Sequence, residues 1–118
     1  RKIKRLGIDS ITSFALLYGN ELAKKEAALT LFSVIDTWQA TALLTAQNER
    51  GTSRGEVVSE ALDFEVDGII VLYHIKQKGL RRRGREVLKM RGTKTPNKVY
   101  EFELGYGGVK LKNTTFKL

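Results

Sequence analysis

The sequence changes its period at Asp67. Upstream, apolar residues recur at helical spacing, first Ile11, Phe14 and Leu17, then Leu22, Leu29, Phe32 and Ile35. Downstream, strand-like runs take over: Gly68 to Ile75, Glu86 to Arg91, and Val99 to Leu104, where Tyr100, Phe102 and Leu104 alternate with Val99, Glu101 and Glu103. The links carry turn residues: Lys76 to Gly84, Thr93-Lys94-Thr95-Pro96-Asn97, then Gly105-Tyr106-Gly107-Gly108. Strands joined by short links pair antiparallel, because a parallel return needs a long crossover. The pattern predicts an α/β fold, a parallel-stranded portion followed by an antiparallel β-hairpin extension.

Within the first portion, Ile3 to Asp9 reads as a short strand, with Gly7 weakening its apolar run. Ser10 stands where an N-cap would, ahead of the Ile11 helix. Gly19 and Asn20 interrupt that helix, and Asn20 caps a second one opening at Glu21 and running to about Trp38, with Lys24, Lys25 and Glu26 on its wet side. Thr41-Ala42-Leu43-Leu44-Thr45-Ala46 has the length of a buried parallel strand, which completes a β-α-β unit. Gln47 to Gly55 is then a loop at the strand's carboxyl end, where open parallel sheets hold ligands. Glu56 to Phe64 shows helical spacing through Val57, Ala61 and Phe64. The expected organisation is a single, partial domain, with a β-α-β portion over 1–66 and a β-rich portion over 67–118.

A chain of 118 residues, 42% of them hydrophobic, is long enough for one buried core. Its net charge of +8 predicts attraction to polyanions. The absence of cysteine excludes disulfides, thiolate metal sites and cysteine catalysis. The apolar runs are too short to span a membrane, and a cytoplasmic location is expected, with no membrane partner. The only methionine is Met90 and the sequence starts at Arg1, so it is expected to begin inside a longer gene product.

Three constellations are candidates for chemistry. In Glu86-Val87-Leu88-Lys89-Met90-Arg91-Gly92, strand alternation puts Lys89 and Arg91 on one face, with Leu88 and Met90 on the other. Two such cations suit a phosphate; the alternative is a solvated edge strand protected by charge. The surrounding cluster adds Lys76, Lys78, Arg81, Arg82, Arg83, Arg85, Lys94 and Lys98, opposed only by Glu86. It is either a surface for nucleic acid or nucleotide, or a solvated face. Asp9, at the tip of an apolar strand, is placed to hold magnesium through water, although Asp-Ser is also an ordinary helix cap. His74, alone in an apolar strand, is expected to be a satisfied structural residue. Gly79 to Gly84 has the glycine spacing of a phosphate loop, but Arg85 and Glu86 follow where Lys and Ser or Thr are needed.

Taken in order, these pieces resemble the C-terminal half of a KaiC-like, RecA-superfamily ATPase. Leu6-Gly7-Ile8-Asp9-Ser10-Ile11 matches the Walker B strand, Leu43-Leu44-Thr45-Ala46-Gln47 the next core strand, Val66-Asp67-Gly68-Ile69-Ile70-Val71-Leu72 another, and Val87-Leu88-Lys89-Met90-Arg91-Gly92 the distinctive late motif. The resemblance implies a partial RecA-like three-layer core and the use of ATP and Mg2+. It implies that Asp9 positions the metal and that Gln47 senses the γ-phosphate. It further implies that Lys89 and Arg91 reach a neighbouring subunit's ATP, so that in the isolated chain they point at nothing. The P-loop and the carboxylates that follow it have no match here, so neither tight ATP binding nor unaided hydrolysis is expected. Self-association, or docking to the missing N-terminal half, follows from the sheet edges such a fragment exposes. The alternatives are a basic nucleic-acid-binding module and a structural or regulatory remnant.

Overall fold

The computed structural model describes residues 3–11, 17, 19–47 and 66–117. They belong to two compact units, Arg1–Glu65 and Val66–Leu118.

In the first unit, β1 (Arg5–Ile8) pairs in parallel with β2 (Thr41–Leu44), Arg5 opposite Thr41 and Ile8 opposite Leu44. The crossover includes α1 (Glu21–Thr37). Asn20 starts that helix: its backbone is extended and its side-chain Oδ1 accepts from the Ala23 N–H at 2.8 Å, satisfying one donor the helix leaves open. The end at Trp38 agrees with the sequence, but the buried stripe agrees only at Ile35. Ala28 and Ile35, seven residues apart, are buried, whereas Leu22 is 66% exposed and Leu29 is also on the open side. The helix turns small Ala28 inward, a choice that hydropathy alone does not reveal. Most of the Ile11 to Leu17 segment, the loop beyond Gln47 and the Glu56 to Phe64 helix lie outside the described residues.

The second unit is a four-stranded antiparallel meander in the order β3 (Gly68–Gln77), β4 (Leu80–Met90), β5 (Val99–Gly105) and β6 (Gly108–Phe116). Two expectations change here. Lys76 to Gly84, expected as a connection, is almost all strand: only Lys78 and Gly79 turn, with φ of 50° and 77°, and Gln77 already pairs with Leu80. Positive φ at both central residues matches the right-handed twist of the flanking strands. Beyond the Tyr106-Gly107 turn, β6 adds a strand not anticipated above, although Val109 and Leu111 alternate with Lys110 and Lys112. The Val66 to Leu72 run opens this antiparallel sheet, pairing with β4.

Directly opposed residues share a face, so the register sorts the unit's side chains. One face gathers Val71 with Glu86, Tyr73 with Gly84 and Glu101, Ile75 with Arg82, and Val99 with Phe116. Val71, Val99, Phe116, Glu86 and Glu101 are all buried there. The other face carries Ile70, Leu72, His74 and Lys76 on β3, Arg81, Arg83 and Arg85 on β4, and Tyr100, Phe102 and Leu104 on β5, with Phe102 buried among them. Gly84 is where the first face closes: a Cβ there would lie 2.7 Å from Val99 Cγ1 and 3.2 Å from Ile75 Cδ1.

Candidate functional site

The parallel register brings the carboxyl ends of β1 and β2 together, and with them Asp9 and Thr45. The Thr45 N–H donates to the Ile8 carbonyl at 3.0 Å, and the Thr45 hydroxyl donates to Asp9 Oδ1 at 2.7 Å. The Ile11 N–H returns to the Thr45 carbonyl at 2.8 Å, tying the segment after Asp9 to the end of β2. The Asp9–Ser10 peptide bond is cis. Asp9 is exposed, and Gln47 follows two residues after Thr45, also exposed. Thr45 escaped the sequence reading because 36 residues separate it from its partner, and only the register joins them.

Magnesium is held by one or two carboxylates, the remainder of its shell being water and phosphate. Asp9 fits that role as a single carboxylate fixed at one oxygen. Among the described residues no group of three or more His, Cys, Asp or Glu side chains gathers to hold a metal on its own.

In the second unit, a β-bulge re-aims the late motif. The register passes from Ile70–Val87 to Ile69–Lys89, leaving Leu88 without a cross-strand partner. Lys89 therefore shares the face of Glu86 and Arg82 rather than that of Val87 and Arg85. Arg91 stands one residue beyond the end of β4. Arg91 does not point at nothing. Its N–H donates to the Asp67 carbonyl at 2.7 Å, and its Nη1 lies 2.9 Å from Asp67 Oδ1, in an ion pair whose side chains are 67% and 79% exposed. Lys89, half-buried, also has a partner. Asp67 carried no signal in the sequence beyond standing where the period changes.

The arginines of β4 divide between the two faces. Arg82 turns to the buried face, where Nε and Nη2 donate to Glu101 Oε2 and Oε1 at 2.7 and 2.6 Å, Nη1 donates to Gln77 at 3.0 Å, and the guanidinium lies 4.8 Å from the Phe116 ring centroid. These bonds lower the Glu101 carboxyl below its ordinary range and raise the Arg82 guanidinium. Glu86, 2% exposed, accepts from the Tyr73 hydroxyl at 2.8 Å. Lys112 pairs with Glu103, which raises its ammonium. Arg81, Arg83 and Arg85 turn to the other face, beside His74, which is exposed rather than enclosed. Hence Arg82, one of the four arginines proposed as a basic surface, is engaged internally.

The family described as an ATPase, KaiC, matches residues 1–115. The chain is 27% identical over 111 residues to a circadian clock oscillator protein, KaiC 1, from Synechocystis sp., and 29% identical over 111 residues to the circadian clock oscillator protein KaiC from Nostoc sp.. Each match covers 93% of this chain and 21% of the relative, so the chain spans about one-fifth of the curated relatives it matches. Among solved structures, a KaiC-like protein from the hyperthermophilic archaeon Pyrococcus horikoshii OT3 superimposes with a TM-score of 0.75 at 31% identity, over 92% of this chain and 46% of that one.

Proposed function

The chain belongs to the KaiC family of ATPases, and from that premise we propose that it is the C-terminal part of an ATP-hydrolysing RecA-like domain. Its β1–α1–β2 portion belongs to a three-layer core and its meander is the hairpin extension. The P-loop comes from residues outside this chain, because no Gly-x-x-x-x-Gly-Lys-Ser/Thr occurs within residues 1–118. Asp9, oriented by Thr45, holds Mg2+ through water, and Gln47 contacts the γ-phosphate. Lys89 and Arg91 act on the ATP of a neighbouring subunit. Magnesium, when bound, neutralises charge developing between the β- and γ-phosphates. The work of this chain's residues is to position that charge and compensate it.

The observation that supports this reading best is how Arg91 is held. Its backbone is pinned to Asp67, while its guanidinium is exposed and engaged by one exposed carboxylate. An exposed ion pair is worth about 0–1 kcal/mol, so a phosphate, which offers more charge and a bidentate edge, can displace Asp67 at little cost. The test supplies this chain to a P-loop-bearing partner and measures ATP hydrolysis. Lys89→Ala and Arg91→Ala each abolish hydrolysis while co-elution with the partner persists; unchanged hydrolysis in both variants defeats the reading.

A further inference from the structure

We infer that the face of the β3–β6 sheet bearing Lys76, Arg81, Arg83 and Arg85 is a binding surface for single-stranded nucleic acid. Lys76 and Arg81, at its hairpin end, are exposed, and Arg83 and Arg85 are half-buried beside buried Phe102. The unit's charges are segregated by face. Glu86, Glu101 and Glu103 all lie on the buried side or its continuation, where Tyr73, Arg82 and Lys112 engage them. The strand residues assigned above to the opposite face include no carboxylate, and among the described residues none of the three outward arginines has an ion pair. A solvated stripe of mixed sign is therefore the wrong description: Arg82 and Lys112 are neutralised on one side, and the cations of the other are not.

The geometry is that of a track. Arg81, Arg83 and Arg85 stand two residues apart on an unbulged stretch of β4, roughly 7 Å between neighbours. Lys76 lies directly across from Arg81, and His74 across from Arg83. Arg85 is held in place without a carboxylate: its guanidinium lies 5.4 Å from the Tyr100 ring centroid, and its Nε is buried with no hydrogen-bond partner. A row of cations follows a phosphodiester backbone, and the neighbouring groups suit the bases. Leu72 and Tyr100 flank Arg85 on either side, with exposed Ile70 beyond. Such groups meet the faces of unstacked bases, which a single strand offers and a duplex hides. The described face presents strands alone, with no helix to enter a major groove.

This binding needs neither nucleotide nor magnesium, so it stands or falls apart from the ATPase reading. The test is fluorescence anisotropy of labelled oligo(dT) titrated with the full chain. With four phosphate contacts the log–log salt slope is about −3, a loss of about 50-fold in affinity between 50 and 200 mM salt. Arg81→Ala/Arg83→Ala makes the slope shallower by about 1.4, so that the same salt change costs only about 7-fold. Lys76→Ala/Arg81→Ala, at two exposed positions that leave Tyr100 and Phe102 untouched, behaves alike and guards against a folding defect. Lys24→Ala/Lys25→Ala removes the same charge from α1 and keeps the wild-type slope. The proposal is overturned if wild type does not bind, or if the α1 variant weakens binding as much as the sheet variants. It is equally overturned if duplex DNA or polyglutamate binds as tightly as oligo(dT), the latter pointing to an acidic protein as the occupant.

Discussion

Arg82 and Glu101 face one another across β4 and β5 through two parallel hydrogen bonds, Nε to Oε2 and Nη2 to Oε1. The pair is the fork-to-fork geometry that guanidinium and carboxylate share. It lies where hydropathy would place an apolar contact, beside buried Val99 and Phe116. Its consequence is that the sheet's buried side is part polar, while aliphatic Ile70, Leu72 and Leu104 stand exposed on the other.

Acid titration reads out this pair. Glu101 has a folded-state pKa below its unfolded value, first through the Arg82 hydrogen bonds. Its contribution to stability is therefore complete above the unfolded carboxyl value of about 4.3 and is lost as pH falls through the lower folded value. Arg82 remains charged throughout. Thermal melts of wild type should fall more steeply below about pH 4.3 than those of Glu101→Gln, which lacks the titrating group. Parallel pH profiles for the two proteins would remove Glu101 as the source.

Gly84→Ala tests the packing of the same face. The new methyl would sit 2.7 Å from Val99 Cγ1, too close without movement, and 3.2 Å from Ile75 Cδ1, a tight contact. Overpacking of this kind costs about 1–3 kcal/mol. Adding Val99→Ala should return part of that loss, so the double variant is more stable than the sum of the singles predicts. Urea unfolding of the four proteins measures the coupling, and strict additivity would mean that the clash is relieved elsewhere.

The limits of α1 were legible in the sequence because Asn20 is a local signal, read from one residue and its neighbours. Its buried stripe was legible only at Ile35, since Ala28 is small and hydropathy favours Leu22. The arginine-rich link was misplaced for a similar reason: Lys78-Gly79 lacks the Asn or Asp that advertises a two-residue hairpin turn, so Arg81 to Gly84 looked like loop. Alternation alone put Lys89 opposite in sense to Met90, but the bulge at Leu88 that decides which face Lys89 takes is a property of the register. The Asp9–Thr45 and Arg91–Asp67 contacts share that character. Each joins residues separated in sequence, and only strand pairing brings them into reach.

Asn20→Ala removes the acceptor for the Ala23 N–H and should cost about 1 kcal/mol, whereas Asn20→Gly should cost a few tenths. Far-UV circular dichroism during urea unfolding distinguishes the two. Equal losses would indicate that Asn20 acts through contacts other than its cap.

Asp67→Ala separates two roles for the Arg91 ion pair. The substitution leaves the Arg91 N–H to Asp67 carbonyl bond intact and deletes only the exposed carboxylate, so stability should change by less than about 1 kcal/mol. The effect on function is more telling. If Asp67 competes with phosphate for the guanidinium, its loss lowers the KM for ATP in an assembly that includes a P-loop-bearing partner, with turnover preserved. If Asp67 instead orients Arg91 for its target, Asp67→Ala reduces turnover toward the level of Arg91→Ala. The exposure of both side chains favours competition, because a carboxylate surrounded by water holds a guanidinium too weakly to fix its direction. A fall in turnover matching Arg91→Ala would reverse that conclusion and make Asp67 a positioning residue.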